Sequence, residues 1–346
     1  MCAVFVLELL PLLLTTMIDR RMKNKMEEKQ THITSIGGQA VMEGVMMRGP
    51  YKTATAVRKP DGEIECKVDE NGTKTRGKFF KLPIVRGCVS FVDSLVIGMK
   101  ALMWSAEFVD IDGDEDEAES KFDKWLEDKL GDKIKDVVIG VSVFIAIIFS
   151  VGMFMVLPWL VSLLLGLVTE SHFLITLGEG VIRIVIFLVY MLLISKMKEI
   201  QRVFEYHGAE HKTIACYEAG EELTPENVKK YPRLHPRCGT SFLLFVMVIS
   251  ILIFFLIPQF TFIGNIILRK LASIGARLCL LPVVAGLSYE VIRLAGRSKN
   301  KCVAFMTKPG LWLQKITTRE PDLSQIEVAI ASMKPCIPEN KEDDKW

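Results

Sequence analysis

Two histidines near the middle of the chain have the type and the spacing of metal ligands. In segment 206–212, YHGAEHK, the residues His207, Glu210 and His211 form the pattern H-x-x-E-H, which occurs in a class of zinc hydrolases. Because the two histidines are four residues apart, a helix would project both imidazoles from one face toward one metal ion. Glu210 would then be the general base, taking a proton from water whose pKa the metal lowers to about 7.

A second segment supplies the further ligands that such a site needs. His235 opens segment 235–241, HPRCGTS, and we expect it to be the third metal ligand. Three more residues are candidates for the site: Glu218 as an alternative third ligand, Cys238 as a fourth ligand, and Arg237 as a contact for an anionic substrate group.

Three interpretations of these residues remain open on the sequence. With three protein ligands and one open position, the metal would be catalytic. With His207, His211, His235 and Cys238 as a closed set of four ligands, a zinc ion would be structural. With no metal, the histidines would only form hydrogen bonds near the lipid headgroups. These ligand types accept several divalent ions, and we expect zinc first among them.

A glycine- and methionine-rich stretch, residues 36–50, carries the other candidate catalytic residues. Glu43 and Arg48 are its charged residues, and charges in such surroundings are usually paired or functional. They could take part in catalysis, or they could form an ion pair with each other that fixes a turn.

Long apolar runs must position these residues. Half of the 346 residues are hydrophobic, yet 24% are charged, and residues 137–169 and 241–261 contain no Asp, Glu, Lys or Arg. Runs of at least about 18 apolar residues have the length of a membrane span, which excludes a wholly soluble protein. We predict a mixed fold: a polytopic α-helical membrane protein with a small N-terminal α+β cytosolic unit. The four predicted spans are 137–157, which Pro158 should end, then 173–195, 241–257 and 278–295.

The distribution of basic residues predicts the orientation of these spans. Loop 196–240 contains eight Lys and Arg and the tail after residue 295 contains nine, whereas the connection between the first two spans contains none. The positive-inside rule therefore places the N-terminal region, the central loop and the tail in the cytosol. The predicted segments are an apolar and basic extension (1–32), which is either an anchor or the product of a misplaced start, the α+β unit (33–110), an acidic linker with a short helix (111–136), two spans (137–195), the loop with the candidate site (196–240), two spans (241–295) and the cytosolic tail (296–346).

Local patterns predict three further features. The turn sequence Lys59-Pro60-Asp61-Gly62 between two apolar runs predicts a β-hairpin. In the tail, a helix after Pro321 would have one apolar face. Within the second span, Glu179 and Arg183 are four residues apart and should pair, because an unpaired charge in the bilayer costs at least about 2.5 kcal/mol.

The composition also limits the functional classes. The net charge of +2 gives no reason to expect nucleic-acid binding, and eight cysteines without framework spacing favour the reduced state. The few ionisable residues inside the predicted spans argue against a transporter. The expected partners are the lipid bilayer and either a substrate or a protein partner that the sequence does not identify.

Four separated blocks of the sequence resemble the YqhQ-like bacterial membrane proteins. These blocks are GGQAVMEGVMMRGP (37–50), EYHGAEHKTIACYE (205–218), HPRCGTSF (235–242) and PGLWLQKITTREPD (309–322). The resemblance extends from residue 33 to residue 331 and implies a protein of the bacterial inner membrane. That family is described as metal-dependent enzymes without an established function, so the resemblance implies no substrate. It maps the family's motif positions onto Glu43, Arg48, His207, Glu210, His211, His235, Arg237, Cys238, Arg319 and Glu320.

The residues and the resemblance together favour a metal-dependent membrane enzyme, most of all a hydrolase with a cytosol-facing site. Its substrate would be a peptide or a phosphate-bearing or lipid molecule at the membrane surface. The alternative is a non-enzymatic scaffold or regulator that binds partner proteins and holds at most a structural metal.

Overall fold

The computed structural model describes residues 33–71, 77–109, 134–257, 260, 262–297 and 301–344. The predicted extension 1–32 and most of the predicted linker 111–136 lie outside these residues. The chain forms two compact units: unit 1 comprises Met1–Val109, Ile194–Phe245 and Ala285–Trp346, and unit 2 comprises Asp110–Leu193 and Val246–Val284.

The protein is mostly helical, with one small sheet near its N-terminus. The strands are β1 (Gly37–Val41), β2 (Gly44–Arg48), β3 (Lys52–Arg58) and β4 (Ile64–Glu70). The helices are α1 (Val85–Ala106), α2 (Ile134–Val151), α3 (Leu157–Leu165), α4 (His172–Ile194), α5 (Lys198–Glu218), α6 (Pro225–Lys229), α7 (Gly239–Phe255), α8 (Ile266–Arg297), α9 (Lys301–Thr317) and α10 (Leu323–Met333). Short 3₁₀ turns cover Lys78–Lys81, Lys334–Cys336 and Lys341–Asp344, and a π-helical turn, Gly152–Val156, joins α2 to α3.

The sheet is an antiparallel meander in which each strand pairs with the next along the chain. The predicted hairpin is confirmed: β3 and β4 pair from Arg58 opposite Ile64, and Gly62 adopts a positive φ of 88° in the turn. Glycine has no Cβ and adopts this left-handed conformation without strain, which explains its position after Asp61.

The sheet lies between helices of unit 1. Along β2, Val45 and Met47 pack with α5 and α10, whereas Met46 lies between them in sequence and packs with α1. Successive side chains of a strand point to opposite faces, so a run of apolar residues in β2 is buried on both sides. The outer strand β4 is exposed along most of its length.

The predicted tail helix is confirmed as α10. Asp322 caps its N-terminus by accepting a hydrogen bond from the Gln325 N–H, and the Gln325 side chain returns a bond to the Asp322 N–H. This reciprocal pair satisfies two amide groups that a helix start leaves without partners. Ile326 and Met333 are completely buried against the sheet and α5.

Four of the described helices have the length and composition of membrane spans, and three of them correspond to spans that the sequence predicts. The four are Val85–Ala106, Gly140–Leu165, Phe173–Ile194 and Leu271–Leu294. Predicted span 241–257 corresponds to the shorter apolar helix Phe242–Phe255, and Val85–Ala106 falls within the predicted α+β unit.

Pro158 does not end its helix, contrary to our prediction. The chain continues from α2 into α3, with the π-helical turn Gly152–Val156 immediately before Pro158. Proline lacks the N–H that would bond the carbonyl of residue 154 in an α-helix. The Arg183 Nε of α4 donates to that Phe154 carbonyl oxygen at 2.9 Å, which satisfies the acceptor and allows the helix to continue.

The predicted pairing of Glu179 with Arg183 is confirmed at 3.1 Å. Arg277 of α8 also binds the Glu179 carboxylate, so one buried acid in unit 2 contacts two arginines. These contacts pair the charges of an otherwise apolar region, where an unpaired charge would be costly in free energy.

Candidate metal centre

The centre is built on α5, a 21-residue helix whose second half is almost entirely buried. Gly208 is required there, because a Cβ at this position would lie 2.0 Å from the Arg319 carbonyl oxygen. The tail segment that follows α9 therefore crosses α5 in direct contact with its backbone. The Arg319 N–H also donates to the Phe204 carbonyl at 2.8 Å, which fixes this crossing.

Three side chains of unit 1 converge as a possible ligand set, which we call the His–Cys cluster. The ligand atoms of His207, His211 and Cys238 lie within 4.8 Å of one another. The two histidines lie on one face of α5, as their spacing predicts, and their ring centroids are 4.4 Å apart. Cys238 comes from the residue immediately before α7.

Backbone carbonyls orient both imidazoles. The Nδ1 of His207 lies 2.8 Å from the Thr317 carbonyl oxygen, and the Nδ1 of His211 lies 2.5 Å from the Arg233 carbonyl oxygen. A carbonyl oxygen only accepts, so each Nδ1 must carry the proton and donate it. Each Nε2 is then the ring nitrogen that faces the cluster, as in metal-binding histidines whose Nδ1 is held by a carbonyl.

The Cys238 thiol is set up to ionise. Burial opposes a thiolate here, but the neighbouring imidazoles of His211 and His207 more than offset it and hold the pKa of Cys238 well below its usual value. The Nε2 of His207 is 3.1 Å from Sγ. Burial likewise opposes an imidazolium at His207, yet the contact with Cys238 raises the pKa of this histidine. A thiolate is the form of cysteine that binds metals or attacks substrates.

Glu210 places a carboxylate beside these groups. It is 5% exposed, and burial raises its pKa, although the two imidazoles oppose that rise. The Gly38 N–H of β1 donates to this carboxylate, and a Cβ at Gly38 would lie 3.0 Å from its Cδ. Among the described residues, the Oε2 of Glu210 and the Nε2 of His211 are buried without a hydrogen-bond partner.

Such unpartnered buried atoms are rare in folded proteins and call for an explanation. A divalent metal ion held by His207, His211 and Cys238 fits them: it would bind the unpartnered His211 Nε2 together with the His207 Nε2 and the Cys238 thiolate, and Glu210 would lie beside it. Two imidazoles and a thiolate are ligands that suit zinc.

His235 and Glu218, the other predicted ligands, lie in a neighbouring polar cluster. The His235 Nε2 is 3.6 Å from a Glu218 oxygen, and Arg237 forms an ion pair with the same carboxylate. Glu218 also accepts the Thr34 N–H at 2.9 Å. The His235 ring is 5.7 Å from that of His211, so it is adjacent to the His–Cys cluster while its own contacts are with Glu218 and Arg237.

Charge stabilises this neighbouring cluster. Burial alone would raise the pKa of Glu218, but His235 and Arg237 more than offset this effect. The pKa of the carboxyl therefore lies below its usual value. Burial lowers the pKa of His235, which favours the neutral ring. The Gln314 side chain holds the His235 backbone on both sides, accepting its N–H and donating to its carbonyl, each at 2.8 Å.

Glu43 and Arg48 lie at opposite ends of β2, which separates the two partners of the predicted ion pair. Glu43 occupies the β1–β2 turn with a φ of 48°, where its carboxylate binds Arg202 and accepts a bond from the Tyr206 hydroxyl at 3.3 Å. Arg48 lies opposite Gly37 in the pairing of β1 with β2. Gly37 precedes Gly38, whose N–H donates to Glu210.

Several residues that build the centre were not singled out by sequence reasoning. Gly38, Gly208, Gln314 and Thr317 act through their backbone or an uncharged amide, and no motif marks them as site residues. Lys212 was also missed: its buried ammonium binds Glu320 at 2.8 Å and the Tyr231 carbonyl at the same distance.

Comparison with known proteins finds a family of unknown function, whose matched region includes the His–Cys cluster and Glu210. The profile of the family "Protein of unknown function (DUF1385)" matches residues 82–339. A relative from Bacillus subtilis (strain 168), the "Uncharacterized protein YqhQ", is 35% identical over 298 residues, which is 86% of this chain and 90% of the relative. No solved structure matches the chain significantly.

Proposed function

This chain belongs to the DUF1385 family, whose function is unknown, and from its own centre we propose that it is a metal-dependent hydrolase. The proposed site faces the cytosol at the surface of the bacterial inner membrane. The observation that carries the proposal is the convergence of His207, His211 and Cys238 beside a buried Glu210 oxygen without a partner.

The number of converging ligands supports a catalytic role. Three protein ligands leave one position for water or substrate, whereas structural zinc sites usually have four. His235, the remaining member of the closed set of four predicted ligands, is instead in contact with Glu218 and Arg237. Three converging ligands would thus leave one open position on a bound metal, which hydrolysis requires.

The residues would divide the chemistry as follows. A bound zinc ion would act as a Lewis acid, which lowers the pKa of water and polarises a carbonyl or phosphoryl oxygen. Glu210 accepts the proton of the attacking water at Oε2 and later delivers it to the leaving group. Its position beside the two imidazoles suits both steps, because a general acid–base group must lie within reach of the reacting water. The bonds to Thr317 and Arg233 hold the imidazoles so that they need not reorient.

The position of the centre in the chain favours a substrate at the membrane surface. Cys238 directly precedes the apolar helix α7, and α5 begins four residues after the candidate span Phe173–Ile194 ends. The predicted role of Arg237 in binding an anionic group loses support, because Arg237 is engaged with Glu218. We therefore favour a peptide over a phosphate-bearing substrate.

A structural metal in a membrane scaffold is the second candidate. The burial of the centre favours it, since His211 is 1% exposed and Cys238 is 8% exposed. In that case Glu210 would serve only to balance the charge of the metal, and the protein would act by binding a partner protein. A transporter has less support, because the charged residues of the candidate spans in unit 2 contact one another.

Metal content tests the shared premise. We would measure zinc by elemental mass spectrometry in the detergent-purified full-length protein, prepared without chelators. Wild type should contain about one zinc per chain, and His211→Ala and Cys238→Ser should lose it. His235→Gln is the matched control, a nearby buried histidine that should leave the zinc content unchanged. A folded, metal-free wild type would refute both metal proposals.

X-ray absorption of the zinc-loaded protein distinguishes the two candidates. A hydrolase predicts two imidazoles, one sulfur and one exchangeable light atom around the zinc. A first shell of four protein ligands would favour the scaffold instead.

A further inference from the structure

Helix α1 has the length and composition of a membrane span, but its packing is incompatible with crossing a bilayer. Its second half is attached to the sheet: Gly98 lies against Gln39, Ala101 is buried in the apolar layer under β2 and β3, and Ser105 accepts the Met42 N–H at 3.2 Å. The sheet ends in the exposed, charged strand β4, which cannot lie in hydrocarbon with unpaired backbone groups at its edge.

The part of α1 that is free of the sheet is too short to span. It runs from Val85 to Ile97, which is 13 residues and about 20 Å at 1.5 Å per residue. A bilayer core of about 30 Å needs about 20 residues. The apolar character of this helix therefore requires another explanation.

One face of α1 carries an exposed row of large apolar side chains, which we call the apolar stripe. Its members are Val92, Leu95, Val96, Met99 and Met103, each between 46% and 56% exposed. At 3.6 residues per turn they lie within an arc about 100° wide. The residues that contact the rest of unit 1 lie on the opposite side of the helix.

The start of α1 contacts the parts of α7 and α8 that belong to unit 1. A Cβ on Gly87 would lie 2.9 Å from the Cα of Gly286 in α8, and Arg86 donates to Glu290 at 2.6 Å. Both contacts with α8 lie within eight residues of the end of the candidate span Leu271–Leu294. The Phe91 ring is 5.7 Å from that of Phe242, in the first turn of α7. The helix thus contacts the ends of two apolar helices along one half and the sheet along the other.

We propose that α1 lies in the plane of the membrane, with the apolar stripe inserted among the lipids between headgroups and acyl chains. This inference rests on the membrane placement in the proposed function, not on the metal. The occupant is a phospholipid surface, because α1, within unit 1, also contacts segments of two apolar helices, one of them a candidate span. The preceding turn has the same character: exposed Phe79 and Phe80 lie between Lys78 and Lys81 in the sequence, a composition that binds anionic lipid interfaces.

An in-plane helix would also hold the sheet at a fixed height above the lipid. Because Gly38 of β1 donates to Glu210, the sheet in turn positions the candidate general base. The contact of α1 with lipid would thereby fix the distance of the His–Cys cluster from the membrane surface.

Depth-dependent quenching tests the orientation. A fluorescent amino acid would be incorporated at Val92 or at Met103 of the full-length protein, one variant each, and each variant reconstituted into phosphatidylcholine–phosphatidylglycerol vesicles. Both side chains are largely exposed, so the label replaces no core contact. Phosphatidylcholine brominated at a shallow or a deep acyl carbon is the quencher.

An in-plane helix predicts that both labels are quenched, more by the shallow than by the deep bromine, with the same ratio at the two positions. In a spanning helix the two positions would differ in depth by about 16 Å, so unequal ratios would overturn the proposal. Absence of quenching at both positions would also overturn it.

Two control positions separate this inference from the proposed function. A label at Phe144, exposed in the candidate span Gly140–Leu165, should be quenched, and a label at Asp69 on the exposed strand β4 should not. Quenching at Phe144 without quenching at the apolar stripe refutes the α1 proposal alone. No quenching at Phe144 refutes the membrane placement and the α1 proposal together, and leaves the zinc measurement to decide the metal centre.

Discussion

The Nδ1 of His207 is hydrogen-bonded to the carbonyl oxygen of Thr317, 110 residues later in the chain. This bond fixes the tautomer of a candidate ligand from the far end of the protein. It exists because the tail segment after α9 crosses α5 at Gly208, where no side chain keeps the two backbones apart.

Gly208→Ala should disturb this crossing. The new methyl group would lie 2.0 Å from the Arg319 carbonyl oxygen, and overpacking of this kind lowers the free energy of unfolding by about 1–3 kcal/mol. We expect a lower melting temperature together with weaker zinc retention, because Thr317 would be displaced from His207. Gly239→Ala is the matched control, since a Cβ there meets no atom within 4 Å. Equal behaviour of the two variants would contradict the proposed crossing.

Glu210→Gln should separate metal binding from catalysis. The amide keeps the shape of the carboxylate and leaves the three ligands in place, so zinc content should match wild type. Loss of a general base costs about 10²–10⁴-fold in rate. The rate would be measured on whichever fluorogenic peptide or ester the wild type hydrolyses. If the variant keeps full activity, the hydrolase mechanism is wrong.

Removal of zinc should lower the stability of the protein only when the proposed zinc ligands are intact. A ligand present at 1,000 times its Kd stabilises the folded state by about 4 kcal/mol, so dialysis against a chelator should lower the melting temperature of wild type. The shift should persist in His235→Gln and vanish in His211→Ala. A chelator shift of wild-type size in His211→Ala would place the metal elsewhere.

Asp322 should make a pH-dependent contribution to stability. Burial raises the pKa of its carboxyl, but bonds from Ser324 and Gln325 more than offset this and lower the pKa below its usual 3.8. A group with a lowered folded-state pKa stabilises the protein above its unfolded pKa and loses that contribution as the pH falls through the folded value. Asp322→Asn keeps a capping side chain but does not ionise. The wild-type advantage in melting temperature should therefore be largest near neutral pH and shrink below pH 4, and a pH-independent gap would refute the assignment.

Pro158 and Arg183 should be energetically coupled. Arg183→Met leaves the Phe154 carbonyl without its donor, and an unsatisfied buried acceptor costs about 1–3 kcal/mol. In a Pro158→Ala background the restored N–H can bond that carbonyl, so the same substitution should cost less. A double-mutant cycle of unfolding in detergent measures the difference. Strict additivity would indicate that the Arg183–Phe154 bond does not compensate for the proline.

Local signals in the sequence predicted some features well. The turn residues before Gly62 define the β3–β4 hairpin, and the four-residue spacing of His207 and His211 places both on one helical face, because each depends on neighbouring residues alone. The position of Cys238 relative to His235 could not be predicted, because it depends on how the loop before α7 folds. In the structure Glu218 and Arg237 contact His235, and the Cys238 thiol instead lies 3.1 Å from the His207 Nε2.

Errors in the predicted spans have a similar origin. Pro158 ends a helix only if no distant group satisfies the freed carbonyl, and Arg183 is 25 residues away in sequence. Helix α1 has the hydropathy of a span. Gly98, Ala101 and Ser105 all contact the sheet, and this shared contact depends on the folded structure and not on the local sequence.

The Thr317 bond also constrains the order of biosynthesis. When a ribosome has made the chain through α7, all three members of the His–Cys cluster have been synthesised, yet the Thr317 carbonyl that orients His207 is still about 60 residues from being made. Nascent or prematurely terminated chains would therefore carry the ligands without the oriented site. The protein would acquire a competent centre only near the end of translation, after the apolar helices that precede the tail have left the ribosome.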